Sequence, residues 1–191
     1  MECGHFVRQT TELSHPCNSS CILVAAMDRI MALDYDNNWN FSVISNLSLA
    51  LAVDYHYNLG YIFWCDRNAQ NIKRSNMDGT NITVIHKNVK YPFWLAVEWN
   101  SLQLYWTAGG YTHRNILVSD FEGNNKRVFN CSQLHFPIGI ALDPHEGNCH
   151  KVDASNGSVV RKFPIKPAVR SYGLIDLTAP CRHQSKLMIA H

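Results

Sequence analysis

The sequence lacks the features of nucleic-acid-binding proteins and of membrane-spanning proteins. Its 17 Lys and Arg residues nearly balance 15 Asp and Glu residues, the formal net charge is +2, and no basic cluster alternates with aromatic residues. This excludes nucleic-acid binding as an interpretation, because that function requires a concentrated positive surface. The apolar run Ile22–Met27 is six residues long, whereas a membrane-spanning helix needs roughly 18. We therefore expect contact with a membrane only through segments that this sequence does not contain.

Catalytic, metal-binding and leader motifs are also missing. No Gly-x-Ser-x-Gly or His-Glu-x-x-His motif is present, and no loop has the dense acidic pattern of an EF-hand, so we expect no enzyme activity, metal or cofactor. The N-terminus, Met1–His5, has no basic region followed by an apolar core, so no signal peptide is predicted. The zinc-compatible residues near the N-terminus lack the paired Cys-x2-Cys spacing of common structural sites, and disulfide bonds to an adjoining module are the favoured alternative. These residues are Cys3, His5, His15, Cys17 and Cys21.

Cysteines and glycosylation acceptors are abundant, and both are typical of proteins outside the cell. The chain has 7 Cys, more than a cytosolic protein of this size commonly carries. Because seven is odd, at least one has no partner within the chain, and Cys65, inside a predicted strand, is expected to be a free, buried thiol. The acceptor pattern for N-linked glycans occurs at Asn18, Asn40, Asn46, Asn81, Asn130 and Asn156. Together these features predict a secreted or ectodomain context, so the missing leader indicates a fragment or an incomplete gene model.

A block that recurs about every 42–45 residues is the most informative pattern in the chain. The first copy contains Leu51-Ala52-Val53-Asp54, Phe63-Trp64-Cys65-Asp66 and Asp78-Gly79-Thr80-Asn81. The second contains Leu95-Ala96-Val97-Glu98, Tyr105-Trp106-Thr107-Ala108 and Glu122-Gly123. A third begins Ile140-Ala141-Leu142-Asp143 and then loses the pattern. Each complete copy is predicted to form four short strands, with a tight turn before the last, which is typical of a propeller blade.

These stretches resemble the low-density-lipoprotein-receptor class B repeat, the YWTD-type propeller, over about residues 22–147. The run Ile22–Ser45, which contains Asp28–Asp34, resembles the segment that precedes the first blade of such propellers. The resemblance implies an all-β fold, a partial six-bladed β-propeller with about two complete four-stranded blades and a degraded third. A closed ring at this period would need roughly 250 residues, so the sequence predicts only part of one.

The sequence divides into three predicted parts. Residues 1–21 are a linker or the tail of a preceding cysteine-containing module, residues 22–165 form the partial propeller, and residues 166–191 are an irregular tail. The repeats lie near 51–94, 95–137 and 138–165. Beyond about residue 148 the third is expected to be disordered, distorted or a gene-model artefact. The reason is that His150 and Lys151 stand where aromatic residues belong, and a buried, unpaired Lys is costly.

The resemblance implies a function as well as a fold. It implies an extracellular ligand-binding or scaffold propeller of a low-density-lipoprotein-receptor-related receptor, which acts in endocytosis or as a signalling co-receptor of the Wnt type. The implied partners are a secreted protein or lipoprotein and neighbouring EGF-like modules. The implied location is the extracellular side of the plasma membrane or the endosome, within a single-pass receptor. Two alternatives stay open: a propeller enzyme of the metal-dependent hydrolase type, and a secreted matrix or growth-factor protein with the same repeats.

The resemblance assigns the motif residues to structure rather than to ligand binding. Large aromatic rings bury on the order of 150–250 Å² each and are expected to fill the interfaces between blades. The structural residues are Asp54, Phe63, Trp64, Asp66, Asp78, Gly79, Glu98, Tyr105, Trp106, Gly123 and Asp143. The second copy departs from the pattern at Ala108, where the family has an acid.

Ligand-binding residues are expected where the second copy departs from the family. Before the Leu-Ala-Val run the family often has Pro-x-Gly, as at Pro137–Gly139, whereas Pro92 is followed here by Phe93 and Trp94. In this fold that junction lies at one propeller face, so an aromatic side chain there would suit a partner. The alternative is that both rings fill a gap between blades.

The chain has 10 His, which raises the hypothesis of a pH-dependent switch. His56, His86, His113, His135 and His145 lie at predicted turns or strand ends. Their simpler interpretation is as solvated loop residues.

Overall fold

The computed structural model describes residues 21–34, 39–110, 114–129, 137–143, 148–153 and 161–164. Within these residues every regular element is a β-strand, and the strands form four antiparallel sheets. The all-β, partial-propeller fold predicted from the sequence is confirmed. The predicted linker 1–21 and tail 166–191 lie outside the described residues, apart from Cys21, the first residue of the first strand.

Each sheet is a run of strands that are consecutive in the chain. The first sheet contains β1 Cys21–Ala26, β2 Arg29–Asp34 and β3 Trp39–Ile44. The second contains β4 Ala50–His56, β5 Tyr61–Asp66, β6 Asn71–Asn76 and β7 Thr83–His86. The third contains β8 Trp94–Glu98, β9 Gln103–Gly109, β10 Arg114–Asp120 and β11 Arg127–Phe129. The fourth contains β12 Pro137–Asp143, β13 Asn148–Asp153 and β14 Arg161–Pro164.

The sheets stack through their first strands. β4 contacts both β1 and β8, and β8 also contacts β12, so the four sheets follow one another in chain order. β5 is buried at every position after Tyr61, because a neighbouring sheet covers each of its faces. The last strands are more exposed, as the pattern of β7 shows. This gradient from a buried inner strand to an exposed outer strand is the arrangement of propeller blades.

The aromatic pair of each repeat places one ring in each neighbouring interface. Side chains alternate between the two faces of a strand, so Trp64 packs against the first sheet while Phe63 packs towards the third. In the third sheet, Trp106 shares the cluster of Phe63, and Tyr105 packs with Ile140 of the fourth sheet. All four rings are at most 1% exposed. Adjacent rings therefore fill two successive interfaces rather than one.

The third repeat continues as paired backbone beyond residue 148. β13 pairs antiparallel with both β12 and β14, although the β12 pairing has an irregularity between Pro137 and Gly139. Within the described residues this repeat is a sheet of three strands. The backbone therefore continues as paired strands at His150 and Lys151, although these residues lack the aromatic side chains of the other repeats.

Candidate binding face

The acids of the first strands bond differently in the two complete repeats. Asp54 lies in β4 and is buried, and its Oδ2 accepts the backbone N–H of Val97 in the third sheet at 2.7 Å. Glu98 instead accepts the backbone N–H groups of Asn100 and Ser101 in its own hairpin turn, at 3.0 and 2.6 Å. The first acid therefore links two sheets, while the second caps a turn. Both interactions are internal and leave neither carboxylate free for a ligand.

Asp66 organises the end of β5 in the first complete repeat. Its carboxylate accepts the backbone N–H groups of Ser48, Leu49 and Ala69 at 3.0 to 3.2 Å and is only 1% exposed. Asp66 thus fixes the chain that enters the second sheet. Ala108 takes the corresponding place in the third sheet, since Asp66 pairs with Asn71 and Ala108 pairs with Asn115.

The Asp-Gly and Glu-Gly turns pack against the outer strand of the preceding sheet. Gly79 has a φ of +82°, and a Cβ there would overlap the carbonyl oxygen of Val43 in β3. Gly123 has a φ of +89°, and a Cβ would lie 2.8 Å from the carbonyl oxygen of Ile85 in β7. Both positions therefore need glycine for backbone conformation and for close packing. The side chains of Asp78 and Glu122, one position earlier in each turn, are exposed.

Trp94 begins β8 and joins the third sheet to the fourth. Its ring packs on the cluster of Ala96, Tyr105 and Ile140, and its Nε1–H donates to the carbonyl oxygen of Ile140 at 3.0 Å. The neighbouring Thr107 strengthens the same junction, since its hydroxyl donates to the carbonyl oxygen of Ile138 at 3.1 Å. These contacts favour the packing alternative for Trp94.

Phe93 lies between two guanidinium groups. The Cζ of Arg114 is 4.6 Å from the centre of the Phe93 ring and that of Arg67 is 5.7 Å from it. Arg67 lies at the same distance, 5.7 Å, from the ring of Tyr91. Phe93, Tyr91 and Arg67 are partly exposed, whereas Arg114 is buried. We call Arg67, Tyr91, Phe93 and Arg114 the Phe93 patch, an aromatic surface with an underlying buried arginine, at the end of β5 and the starts of β8 and β10.

The sequence identified Phe93 but not its cationic partners. Arg67 directly follows Asp66, and Arg114 opens β10, so the two are 47 positions apart. Neither occupies a motif position, so the repeat pattern carried no signal for them. Only the stacking of the second sheet on the third brings them together.

Two of the histidines are buried between sheets, so the expectation of solvated loop residues was wrong for them. His56 is 4% exposed and contacts the rings of Trp99 and Phe121, each with its centre 5.5 Å away. Its Nδ1 accepts the backbone N–H of Leu59 at 3.2 Å, so the proton lies on Nε2, which faces the carbonyl oxygen of Trp99 at 3.3 Å. His86 is 7% exposed and stacks on Trp106, with ring centres 4.6 Å apart. His113, His135 and His145 lie outside the described residues.

Cys65 is a free, buried thiol, as predicted. It lies in the cluster between the second and third sheets, beside Phe63 and Leu104. Burial raises the pKa of the thiol to about 12, so it stays protonated at physiological pH. Its role is therefore that of a small apolar side chain.

The predicted glycosylation acceptors are only partly within the described residues. Asn40, Asn46 and Asn81 are exposed, as attachment of a glycan requires. Asn18, Asn130 and Asn156 lie outside the described residues, as do Cys3, His5, His15 and Cys17. Asp143 ends β12, and its side chain lies outside the described part.

Across the residues that the structure describes, no group of three or more His, Cys, Asp or Glu side chains has the geometry of a metal site. Those residues also contain no helix that is long and apolar enough to cross a membrane.

Comparison with known proteins relates the chain to receptor repeats. No family model matches it. Mouse low-density lipoprotein receptor-related protein 5 is 32% identical over 114 residues, which are 58% of this chain and 7% of the mouse protein. The human low-density lipoprotein receptor-related protein 5-like protein is 27% identical over 104 residues, 54% of this chain and 40% of the human protein. The matched region thus spans less than half the length of either relative.

A solved structure shows the same fold. A chain in the crystal structure of a nidogen–laminin complex is similar with a TM-score of 0.64 at 20% identity, covering 74% of this chain and 60% of that chain. The repeat motifs, the stacked sheets and these relatives agree. The chain therefore carries low-density-lipoprotein-receptor class B repeats, and its sheets form part of a YWTD-type β-propeller.

Proposed function

We propose that this propeller is the ligand-binding part of an extracellular receptor of the low-density-lipoprotein-receptor-related group, and that the Phe93 patch contacts the ligand. The observation that carries the proposal is a partly exposed aromatic ring held between two arginines, at the junction where the second repeat departs from the family. Aromatic and Arg side chains dominate the binding energy of many protein interfaces. The buried motif residues position this surface and do not themselves bind.

The charge of the patch indicates the chemistry of its partner. Arg67 brings a partly exposed positive charge to the patch and none of its four residues is acidic, so an acidic surface on a secreted protein or lipoprotein suits it. Neighbouring EGF-like modules, attachment to the membrane through a single span, and passage through endosomes belong to the same proposal. We include no catalytic role, because neither relative's name describes an enzyme.

The proposal is tested by measuring binding of purified low-density lipoprotein, a Wnt protein and laminin to the immobilised chain. We expect Phe93→Ser and Arg67→Ala each to weaken binding of the recognised ligand about tenfold or more, as loss of an anchor residue does. Ile82→Ser is the matched control, because Ile82 is 52% exposed beside the outer strand of the second sheet. Absence of binding to all three probes, or equal binding by wild type and both patch variants, contradicts the proposal.

A secreted matrix protein is the second candidate. It is favoured by one observation, the likeness of the fold to a chain in a nidogen–laminin complex. Binding of laminin alone among the three probes would support this candidate over the receptor.

A further inference from the structure

A cleft of about 190 Å³ opens beside Trp106, between the β7–β8 connection and the third sheet. This is about six times the share of volume that one water molecule has in the liquid. Its polar lining comes from Asn88 and Lys90 on one side and from Asn115 and Lys126 on the other, and none of its lining residues is acidic. Two lysines and two asparagines, all of them exposed, therefore line a cleft that no acidic residue borders.

The first complete repeat shows what the corresponding place holds when the acid is present. Asp66, the counterpart of Ala108, fills it with a carboxylate that accepts three backbone N–H groups. A lysine also approaches that carboxylate, since Lys73 Nζ lies 3.8 Å from Asp66 Oδ2. The fold thus provides for one carboxylate beside one lysine at this position of the repeat.

The second complete repeat lacks the acid, and Leu117 takes the position of Lys73. Its two lysines beside the cleft, Lys90 and Lys126, come from other positions. Ala108 lines the cleft and has no polar side-chain atom. Within the described residues the ion pairs involve neither Lys90 nor Lys126. Two lysines that line one cleft favour an anion there over a cation. The side-chain amides of Asn88 and Asn115 offer N–H donors to the same anion.

We propose that this cleft binds a carboxylate group of another molecule, in the role that the Asp66 carboxylate has in the first repeat. The ligand class is a small carboxylate or a carboxylate carried by a peptide. The site lies outside the Phe93 patch and does not depend on the function proposed for that patch.

The test follows the indole N–H resonance of Trp106 and the side-chain amide of Asn115 by NMR. The full chain is titrated with sodium acetate at constant ionic strength, with chloride as the balancing anion. We expect saturable shifts at both groups with acetate and none with chloride alone. The double variant Lys90→Gln with Lys126→Gln should weaken acetate binding at least about threefold, because it removes both positive charges that line the cleft. Lys87→Gln, at an exposed position outside the cleft, should leave it unchanged.

A second variant supplies the missing group from within. Ala108→Asp should abolish the acetate response, because the introduced carboxylate occupies the cleft. If the Ala108→Asp variant does not fold, the lysine variants still test the proposal. The proposal is overturned if acetate and chloride give the same shifts, if the double lysine variant binds acetate as wild type does, or if a folded Ala108→Asp protein responds undiminished. Tighter binding of sulfate than of acetate would overturn the assignment to a carboxylate.

Discussion

At the scale of single residues, His86 is the side chain whose chemistry the fold changes most. Its Nε2–H donates to Ser119 Oγ at 2.9 Å, and that hydroxyl in turn donates to the carbonyl oxygen of Asp120 at 2.8 Å. Burial and, to a smaller extent, the charge of Lys126 lower the pKa of His86 to about 4, while Asp120 opposes the shift. The ring is therefore neutral in the folded protein at neutral pH.

The stability of the protein should fall as the pH drops from 6.5 towards 4. The unfolded chain binds a proton at His86 near pH 6.5 and the folded chain only near pH 4, so the unfolded state gains protons first. The contribution of neutral His86 to the free energy of unfolding is complete above pH 6.5, and on the order of 1–2 kcal/mol of it is lost at pH 5. Urea unfolding of wild type and His86→Gln at pH 7.5, 6 and 5 measures it. We expect the free energy of unfolding of His86→Gln to fall less between pH 7.5 and pH 5 than that of wild type. An equal fall in both proteins would contradict the account.

The sequence predicted the environment of Cys65 but not that of His56. A cysteine inside an apolar strand motif is expected in the core. A histidine beside a turn, in contrast, can be either solvated or buried between sheets. The sequence did contain a signal for His56: Asp54 and Phe63 are nine positions apart, while Glu98 and Tyr105 are seven apart. The longer first hairpin extends the strands to the pair His56 and Tyr61, which carries the imidazole into the interface.

At the scale of elements, the turns before the outer strands hold the sheets at close distance. Gly79→Ala should lower the free energy of unfolding by at least about 1–2 kcal/mol, because the backbone is left-handed there, and the overlap with Val43 adds to this cost. Gly110→Ala is the control, since a Cβ at Gly110 meets no atom within 4 Å. Equal melting temperatures for the two variants would show that the turn does not depend on close packing.

The junction between the third and fourth sheets depends on Trp94. Trp94→Phe keeps an aromatic ring but removes the N–H that bonds Ile140, so a buried carbonyl loses its donor at a cost of about 1–3 kcal/mol. We expect faster hydrogen exchange in β12, measured by mass spectrometry. The amides of β4 serve as the internal control. Uniform exchange in wild type and variant would refute this role of the indole.

Strand positions were predictable because local patterns determine them. The motif Leu51–Asp54 and the run Tyr61–Cys65 alternate or stay apolar over a length typical of strands. The Asp78–Gly79 turn separates the third and fourth strands of the same repeat. The Phe93 patch was not predictable, because its members come from three different elements. Its geometry depends on how one sheet stacks on the next, which no local pattern encodes.

At the scale of the whole molecule, one rule builds every described interface. The second and third sheets each bury one ring of an aromatic pair on each side, so successive sheets share clusters rather than a single central core. Repeat proteins of this kind gain stability from neighbour to neighbour. The proposed Phe93 patch lies at the ends of the strands, where residues can vary between repeats without altering the stack.

The account depends most on the claim that this propeller works outside the cell, and glycan mapping tests it most directly. The protein is isolated from the cells that produce it, and glycan occupancy at its asparagines is measured by mass spectrometry with and without enzymatic removal of N-linked glycans. We predict occupancy at one or more of the exposed residues Asn40, Asn46 and Asn81, because glycans are added to surface acceptors in the secretory pathway. Unmodified asparagine at all six acceptor positions of the sequence would contradict an extracellular receptor.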